Sequence, residues 1–366
     1  MTLLSGIAYA LAGPFLSLFL VTELNAQPFA VGAFLFGTQL AAIIVSTLIG
    51  RFSDTRDVRK QLLIIGGTAG AISCTVFAFS RSYWALLIVF VTVGAVSGSQ
   101  MPQMFAYARQ SLDRDPQAPL AISGLRTIFS IAWVIGTPLA AFLIAASGFT
   151  LLYAVSAVVY LGGALIAASW LRPLGTIAPV ERESAPARGK IAVAAIAFVL
   201  VQAATSLGVL AVPLYVTAEL GGSAGDAGLV LSLCALLEIP LMIWFGWLAT
   251  RGDHGKLVLA GASTAIGYYV LMLWTTEVWQ VAAAQALNAV VISAVMGVGI
   301  TYFQDLAPDR PGAATTLYTN TAKVSAMLAG PLLGLAQHLG YRSAYAMGLG
   351  LSVIGLAFLV AARRLH

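Results

Sequence analysis

Three side chains in this sequence stand where a charge is costly. Arg126, Glu238 and Lys323 lie inside long apolar runs, at 120–146, 225–249 and 313–337. In a lipid interior a charge costs roughly 2.5–3.5 kcal/mol or more at mid-helix, so it persists where a function or a partner retains it. A carboxyl group in such a place is neutral when dry and ionised when wetted, which is what a proton carrier requires. Glu238, deep in its run, is the candidate proton-coupling residue, and a nearby Lys323 would oppose its protonation. Two plainer alternatives stand beside this. The three charges pair to fix helix packing, or Arg126, a few residues into its run, snorkels to the nearer membrane face.

Uncharged polar residues recur at helical spacing within the same runs. Gln100, Gln103 and Tyr107 share one face, as do Arg126, Ser130 and Trp133; so do Gln285 with Asn288, and Thr316 with Asn320 and Lys323. Amides both donate and accept, as the hydroxyls of a polar solute require. The candidate substrate-binding residues are therefore Gln39, Gln100, Gln103, Arg126, Trp133, Asn288, Asn320 and Lys323, lining a midplane cavity between residues 1–171 and 191–366. Trp133 offers a ring for stacking, the alternative being simple packing. Gln39 stands alone on its run, and its alternative is a bond to a neighbouring helix.

The elements that must position these groups follow from composition. Of 366 residues, 60% are hydrophobic and 9% charged, with a mean hydropathy of +0.92. A soluble domain carries about 25% charged residues, so a soluble enzyme is excluded. A transmembrane β-barrel alternates in segments of about 10 residues, whereas these apolar runs are continuous. The runs fall near 3–24, 29–50, 61–80, 83–107, 120–146, 148–171, 191–217, 225–249, 257–275, 279–303, 313–337 and 342–362, each close to the ~20 residues a bilayer needs. The fold expected is all-α and multi-pass, with twelve transmembrane helices. A polar, proline-bearing stretch over 172–190 reads as a linker between six-helix halves at 1–171 and 191–366. With loops alternating sides, fifteen Lys and Arg fall on the side of the N-terminus and only Arg81 and Arg342 on the other. Both termini are thus expected in the cytoplasm. This asymmetry accounts for the net charge of +5 and leaves nothing for a nucleic-acid partner to explain. Trp84, Trp170, Trp274 and Trp279 fall at run ends, as an interfacial belt would. Kinks are expected at Pro102, Pro138 and Pro331.

The halves echo one another. Glu23, Gly32 and Gly50 recur as Glu219, Gly228 and Gly246 at an offset of 196, and Gly136-Thr137-Pro138-Leu139 resembles Ala329-Gly330-Pro331-Leu332. Two parallel halves joined by a central linker resemble the major facilitator superfamily, whose halves rock about a midplane site. The loop from Gly50 through Asp54 to Arg59 and Lys60 is similar to that superfamily's Gly-x-x-x-Asp signature followed by basic residues. The resemblance implies a conformational latch at Gly50, Asp54 and Arg59, although Asp57 and Val58 replace the usual Gly and Arg. Gly246, Arg251, Gly255 and Lys256 form a weaker second copy. Met101 to Ala106, Leu237-Glu238-Ile239-Pro240 and Phe303 to Asn320, in which Asp305 to Asn320 is the most specific piece, together resemble bacterial sugar efflux transporters of the SET type. That resemblance implies export of small sugars or glycosides by proton antiport, from the bacterial cytoplasmic (inner) membrane. Two departures are a short stretch before the first run and Lys323 where those transporters carry a small polar residue.

Other classes leave no mark. Cys74 and Cys234 sit mid-run and give neither a disulfide framework nor metal spacing. No metalloprotease, nucleophile-elbow or nucleotide-loop motif is present, so neither an enzyme nor an ATP-driven pump is expected. No cofactor and no metal are expected. The first apolar run begins at Thr2 without a basic leader, so no cleavable signal peptide is expected. The partners expected are a small polar solute such as a sugar, protons and the bilayer, the chain acting as a monomer. A multidrug pump for amphipathic compounds is the alternative, and the amide-rich faces weigh against it.

Overall fold

The computed structural model describes residues 1–54, 56–111, 118–173, 189–307 and 311–364; most of the expected linker lies outside them. Among the described residues every regular element is a helix. Ten stretches are long and apolar enough to cross a membrane. One of these, Thr127–Trp170, is 44 residues long and holds two helices, because Ser147 and Gly148 leave helical geometry. A further helix, Pro311–Leu339, is 29 residues long but more polar, since it carries Thr316, Asn320 and Lys323. The twelve membrane helices are α1 (Thr2–Thr22), α2 (Pro28–Asp54), α3 (Arg59–Phe79), α4 (Tyr83–Ala108), α5 (118–146) and α6 (149–170), then α7 (Gly189–Glu219), α8 (Ala224–Ala249), α9 (His254–Trp274), α10 (Val278–Leu306), α11 (Pro311–Leu339) and α12 (Ser343–Arg364). Large apolar side chains face outward along them, Phe142, Leu165, Leu229 and Ile243 among them. That is how a chain solvated by lipid satisfies its surface. The four belt tryptophans stand exposed at helix ends.

The helix irregularities do not follow the expected proline kinks. Pro138 and Pro331 sit inside helices whose backbone stays helical around them. Of the three, Pro102 alone lies beside a loosened turn, at Gly98–Ser99, where the missing proline donor would have bonded one turn back; a second break, outside the expected positions, interrupts α1 at Gly13–Phe15 around Pro14. The departures are wider π-helical turns at Phe90–Gly94 in α4, Tyr215–Glu219 in α7 and Ile292–Met296 in α10. Such turns carry an extra residue and often mark functional helices.

The chain divides into two compact units, residues 1–26 with 37–180, and residues 27–36 with 181–366. The start of α2 groups with the second unit. There Gly32 lies against Gly330, Pro331 and Gly334 of α11, at a separation only glycine allows. Small residues set the packing elsewhere too. Gly6 and Gly136 join α1 to α5, Gly67 and Gly70 join α3 to α6, and Gly355 joins α12 to α7.

Each unit carries an arginine clamp on one end. In unit 1, Arg81 in the α3–α4 turn pairs with Glu23 at 2.9 Å, donates to Thr150 Oγ1 at 3.0 Å in the α5–α6 region, and covers the Phe19 ring. In unit 2, Arg342 in the α11–α12 turn binds Glu219 through its backbone N–H at 2.9 Å. Its guanidinium donates to the Thr275 carbonyl at 2.9 Å in the α9–α10 turn and covers the Tyr215 ring. The positive-φ residues Asn25, Gly148, Gly221 and Gly340 lie in the turns at these same ends, where left-handed backbone reverses the chain. At the opposite end of unit 2, His254 Nδ1 meets Asp305 at 2.5 Å and Arg363 meets Asp253 at 2.8 Å. Asp253 also caps α9 by accepting the Lys256 N–H.

Candidate functional site

Inside the second unit a chain of polar contacts surrounds Glu238. The carboxyl group leaves α8 at mid-length and accepts a weak bond from Cys234 Sγ, one turn earlier, at 3.5 Å. Asn288 of α10 donates to that sulfur at 3.5 Å and to Gln285 Oε1 at 3.0 Å. Ser293, in the π-helical turn of α10, donates to the Glu238 carbonyl at 3.4 Å. Helical spacing explains the assembly: Cys234 and Glu238 are four residues apart, Gln285 and Asn288 three. Asn288, Gln285 and Cys234 are buried and Glu238 is partly so. Neither Glu238 nor Lys323 has an ion-pair partner among the described residues, so mutual pairing does not account for these two charges here.

The sequence showed Gln285 and Asn288 on one polar face and Glu238 as a lone charge in an apolar run, and the structure joins them through Cys234. It missed Cys234, which looked like one more apolar residue in an apolar run. A thiol exactly one helical turn before a lone carboxyl was the signal available.

Elsewhere the expected residues separate. Lys323 is half-buried on α11, and Asn320, exposed on the same helix, opens onto an otherwise largely apolar groove of about 350 Å³ between α7 and α11. In unit 1, Gln103 Nε2 donates to Ser53 Oγ on α2 at 3.0 Å, and Gln100 Nε2 to the Leu63 carbonyl on α3 at 3.4 Å. Both glutamines thus bind helix to helix in this conformation, although Gln103 Oε1 keeps no partner. Tyr107 bonds the backbone of Arg172 instead of facing a cavity. Gln39 is half-buried on α2. Trp133 packs against Tyr9 of α1 with ring centroids 5.9 Å apart, and Tyr9 remains half exposed. This pair forms an aromatic step that sequence reasoning saw only in part, because Tyr9 lies on another helix. Arg126 lies on α5 and Asp54 at the end of α2, but their side chains fall outside the described residues. Arg59 opens α3, and a Cβ at Gly50 would meet nothing within 4 Å, so no neighbouring helix uses that glycine for close approach.

Two similar six-helix units, with a buried carboxyl–thiol–amide chain in one and an open aromatic pair in the other, define a multi-pass membrane transporter architecture. The chain belongs to the Major Facilitator Superfamily, whose profile matches residues 1–194 and again 193–365. It is 34% identical over 373 residues to a putative sugar efflux transporter of Deinococcus radiodurans, covering 99% of this chain and 96% of that one. It is 36% identical to sugar efflux transporter B of Salmonella typhimurium, over 91% of this chain and 86% of that one. Among solved structures, the nucleoside transporter NupG superimposes with a TM-score of 0.75 at 15% identity, over 100% of this chain and 98% of the other. That likeness speaks for the fold.

Proposed function

We propose that this chain is a secondary active transporter that exports small sugars or glycosides in exchange for protons, by alternating access in a bacterial inner membrane. The observation that carries the substrate class is the near full-length similarity to proteins named sugar efflux transporters. The polar chemistry is compatible with it. Asn288 and Gln285 present donor and acceptor groups, and Tyr9 with Trp133 presents an aromatic face of the kind sugar rings stack on. Arg126, Asn320 and Lys323 complete the proposed polar contacts. Glu238 is the proposed proton carrier: protonated, it lies neutral beside Cys234, and on wetting it releases the proton. Both termini are placed in the cytoplasm by the charge asymmetry, so the clamp ends face outward. Gly50, Asp54 and Arg59 serve as the cytoplasmic latch.

The test is efflux of radiolabelled mono- and disaccharides from proteoliposomes under an imposed pH gradient. The expected result is sugar flux accelerated by proton flow in the opposite direction. Glu238→Gln keeps downhill sugar flux but removes its response to the gradient. An unchanged pH response in Glu238→Gln would overturn the proton role of this residue.

A further inference from the structure

A carboxyl group at the middle of α8 needs a route for its proton, and unit 2 contains a line of buried polar groups leading to it. At the clamp end, the Tyr345 and Tyr215 rings meet edge to face at 5.0 Å, both fully buried and close to Glu219. The Tyr215 hydroxyl is engaged with Thr275, whereas the Tyr345 hydroxyl has no partner. Next along the bundle, Tyr268 and Tyr269 pack at 4.9 Å, and their hydroxyls converge over Gly208 of α7. A Cβ placed there would lie 3.7 Å from the Tyr269 oxygen and 4.0 Å from that of Tyr268. The Tyr268 hydroxyl lies beside Gln285 but makes no bond at hydrogen-bonding length. From Gln285 the contacts already described run through Asn288 and Cys234 to Glu238.

Two more buried groups of the same unit lack partners. Both amide atoms of Gln202, on α7 before Gly208, are buried and unbonded. So is Ser352 Oγ on α12, one turn past Gly348, which packs on the Tyr269 ring. Buried polar groups without a protein partner are the places where ordered water resides. Five such atoms, on Gln202, Tyr268, Tyr345 and Ser352, gather in one bundle.

We propose that unit 2 holds a file of internal waters running from the clamp end to Glu238, with the Tyr345 and Tyr268 hydroxyls as relay members and Gln285, Asn288, Gln202 and Ser352 as its polar wall. This rests on the proton role proposed for Glu238. In each relay step an oxygen accepts one proton and gives up another, so the hydroxyls and waters end unchanged. The net transfer is one proton from bulk water to the Glu238 carboxylate, which becomes the neutral acid. The other titratable or charged groups near this interior are Tyr215, Tyr269, Cys234, Tyr341, Glu219 and Arg342; the last three stand at its entrance.

The experiment has two arms. Radiolytic hydroxyl-radical labelling of the intact protein in nanodiscs is read at Tyr268 and Tyr345, with Phe198, equally buried and packed on the rings of Tyr302, Phe303 and Tyr318, as the reference. Expected is labelling of both tyrosines and none of Phe198; tyrosines as inert as Phe198 overturn the water file. In the second arm, radiolabelled lactose efflux is measured for Tyr268→Phe, Tyr345→Phe and Glu238→Gln. Removing a hydroxyl that bonds no other protein group leaves no protein group unpaired, so both tyrosine variants fold, as their melting temperatures check. The pH-driven component falls roughly tenfold in each, the equivalent of one lost hydrogen bond, while lactose counterflow at equal pH is retained. If Glu238→Gln abolishes the pH response and the tyrosine variants keep it, the route is overturned and the Glu238 role survives. If Glu238→Gln keeps the response, both fall.

Discussion

Gly334→Ala offers the cleanest measure of how tightly α2 is held on α11. A Cβ at position 334 would lie 2.6 Å from the Pro28 carbonyl oxygen and 3.1 Å from Gly32 Cα. Ordinary contact begins at 3.4 Å, so α2 must retreat by the difference, about 0.8 Å, and the obstruction is backbone, which cannot rotate away. Overpacking of this kind costs roughly 1–3 kcal/mol. Alanine also improves helix propensity over glycine by about 1 kcal/mol, which would mask part of the loss. Gly246→Ala is therefore the paired control, since a Cβ there meets nothing within 4 Å and the gain stands unopposed. The difference between the variants isolates the steric term. At about 2–4 °C per kcal/mol for a body of 150–250 residues, Gly334→Ala should melt roughly 2–12 °C below Gly246→Ala. The assay is dye labelling of thiols during heating, because Cys74 and Cys234 are both free and buried and become reactive on unfolding. Coincident melting curves for the two variants would refute the close packing of Gly32 on Gly334.

Other outcomes follow from the same contacts. Arg342→Met removes the donor to the buried Thr275 carbonyl and the guanidinium 3.9 Å from Glu219, while the backbone N–H of residue 342 still bonds Glu219; with the exposed ion pair contributing little, a loss of about 1–2 kcal/mol is expected in thermal melts. Arg342→Lys should recover less than half of it, because a single ammonium lacks the planar fork. Asn288→Leu leaves Gln285 Oε1 without its donor and should cost about 1–3 kcal/mol by the same measurement. Combined with Tyr268→Phe the loss should exceed the sum of the single variants by about 1 kcal/mol, since the adjacent hydroxyl can otherwise turn to that oxygen. Trp133→Ala should weaken sugar binding about tenfold in calorimetry if the ring stacks on substrate, and strict retention of affinity would confine Trp133 to packing against Tyr9.

Periodicity and charge exposed most of the architecture before any coordinate. Twelve apolar runs and their polar breaks are local properties, and local properties are what a sequence displays. The observed helices start and stop within a few residues of those runs. What escaped was relational. That Gln100 and Gln103 bond neighbouring helices depends on which helix lies beside α4, a fact spread over 50 residues of chain for Gln103 and Ser53. The grouping of residues 27–36 with the second unit depends on Gly32 meeting α11. The π-helical turns escaped because one extra residue per turn alters no composition. At the candidate site, Glu238 was conspicuous as a charge in an apolar run. Cys234 was not, because a thiol counts as apolar until a carboxyl is found beside it.

The two clamps carry a consequence for how change at one position constrains change at another. Glu23 and Glu219 sit 196 residues apart in the chain, as do Phe19 and Tyr215, yet their arginines come from non-corresponding turns: α3–α4 for Arg81 and α11–α12 for Arg342. A repeat need conserve only the meeting place of three turns, and either of two turns can supply the cation. Among relatives, substitutions should therefore covary within each clamp, 23 with 81 and 219 with 342. They should not track the internal repeat, and a comparison of the halves alone would overlook the clamps entirely.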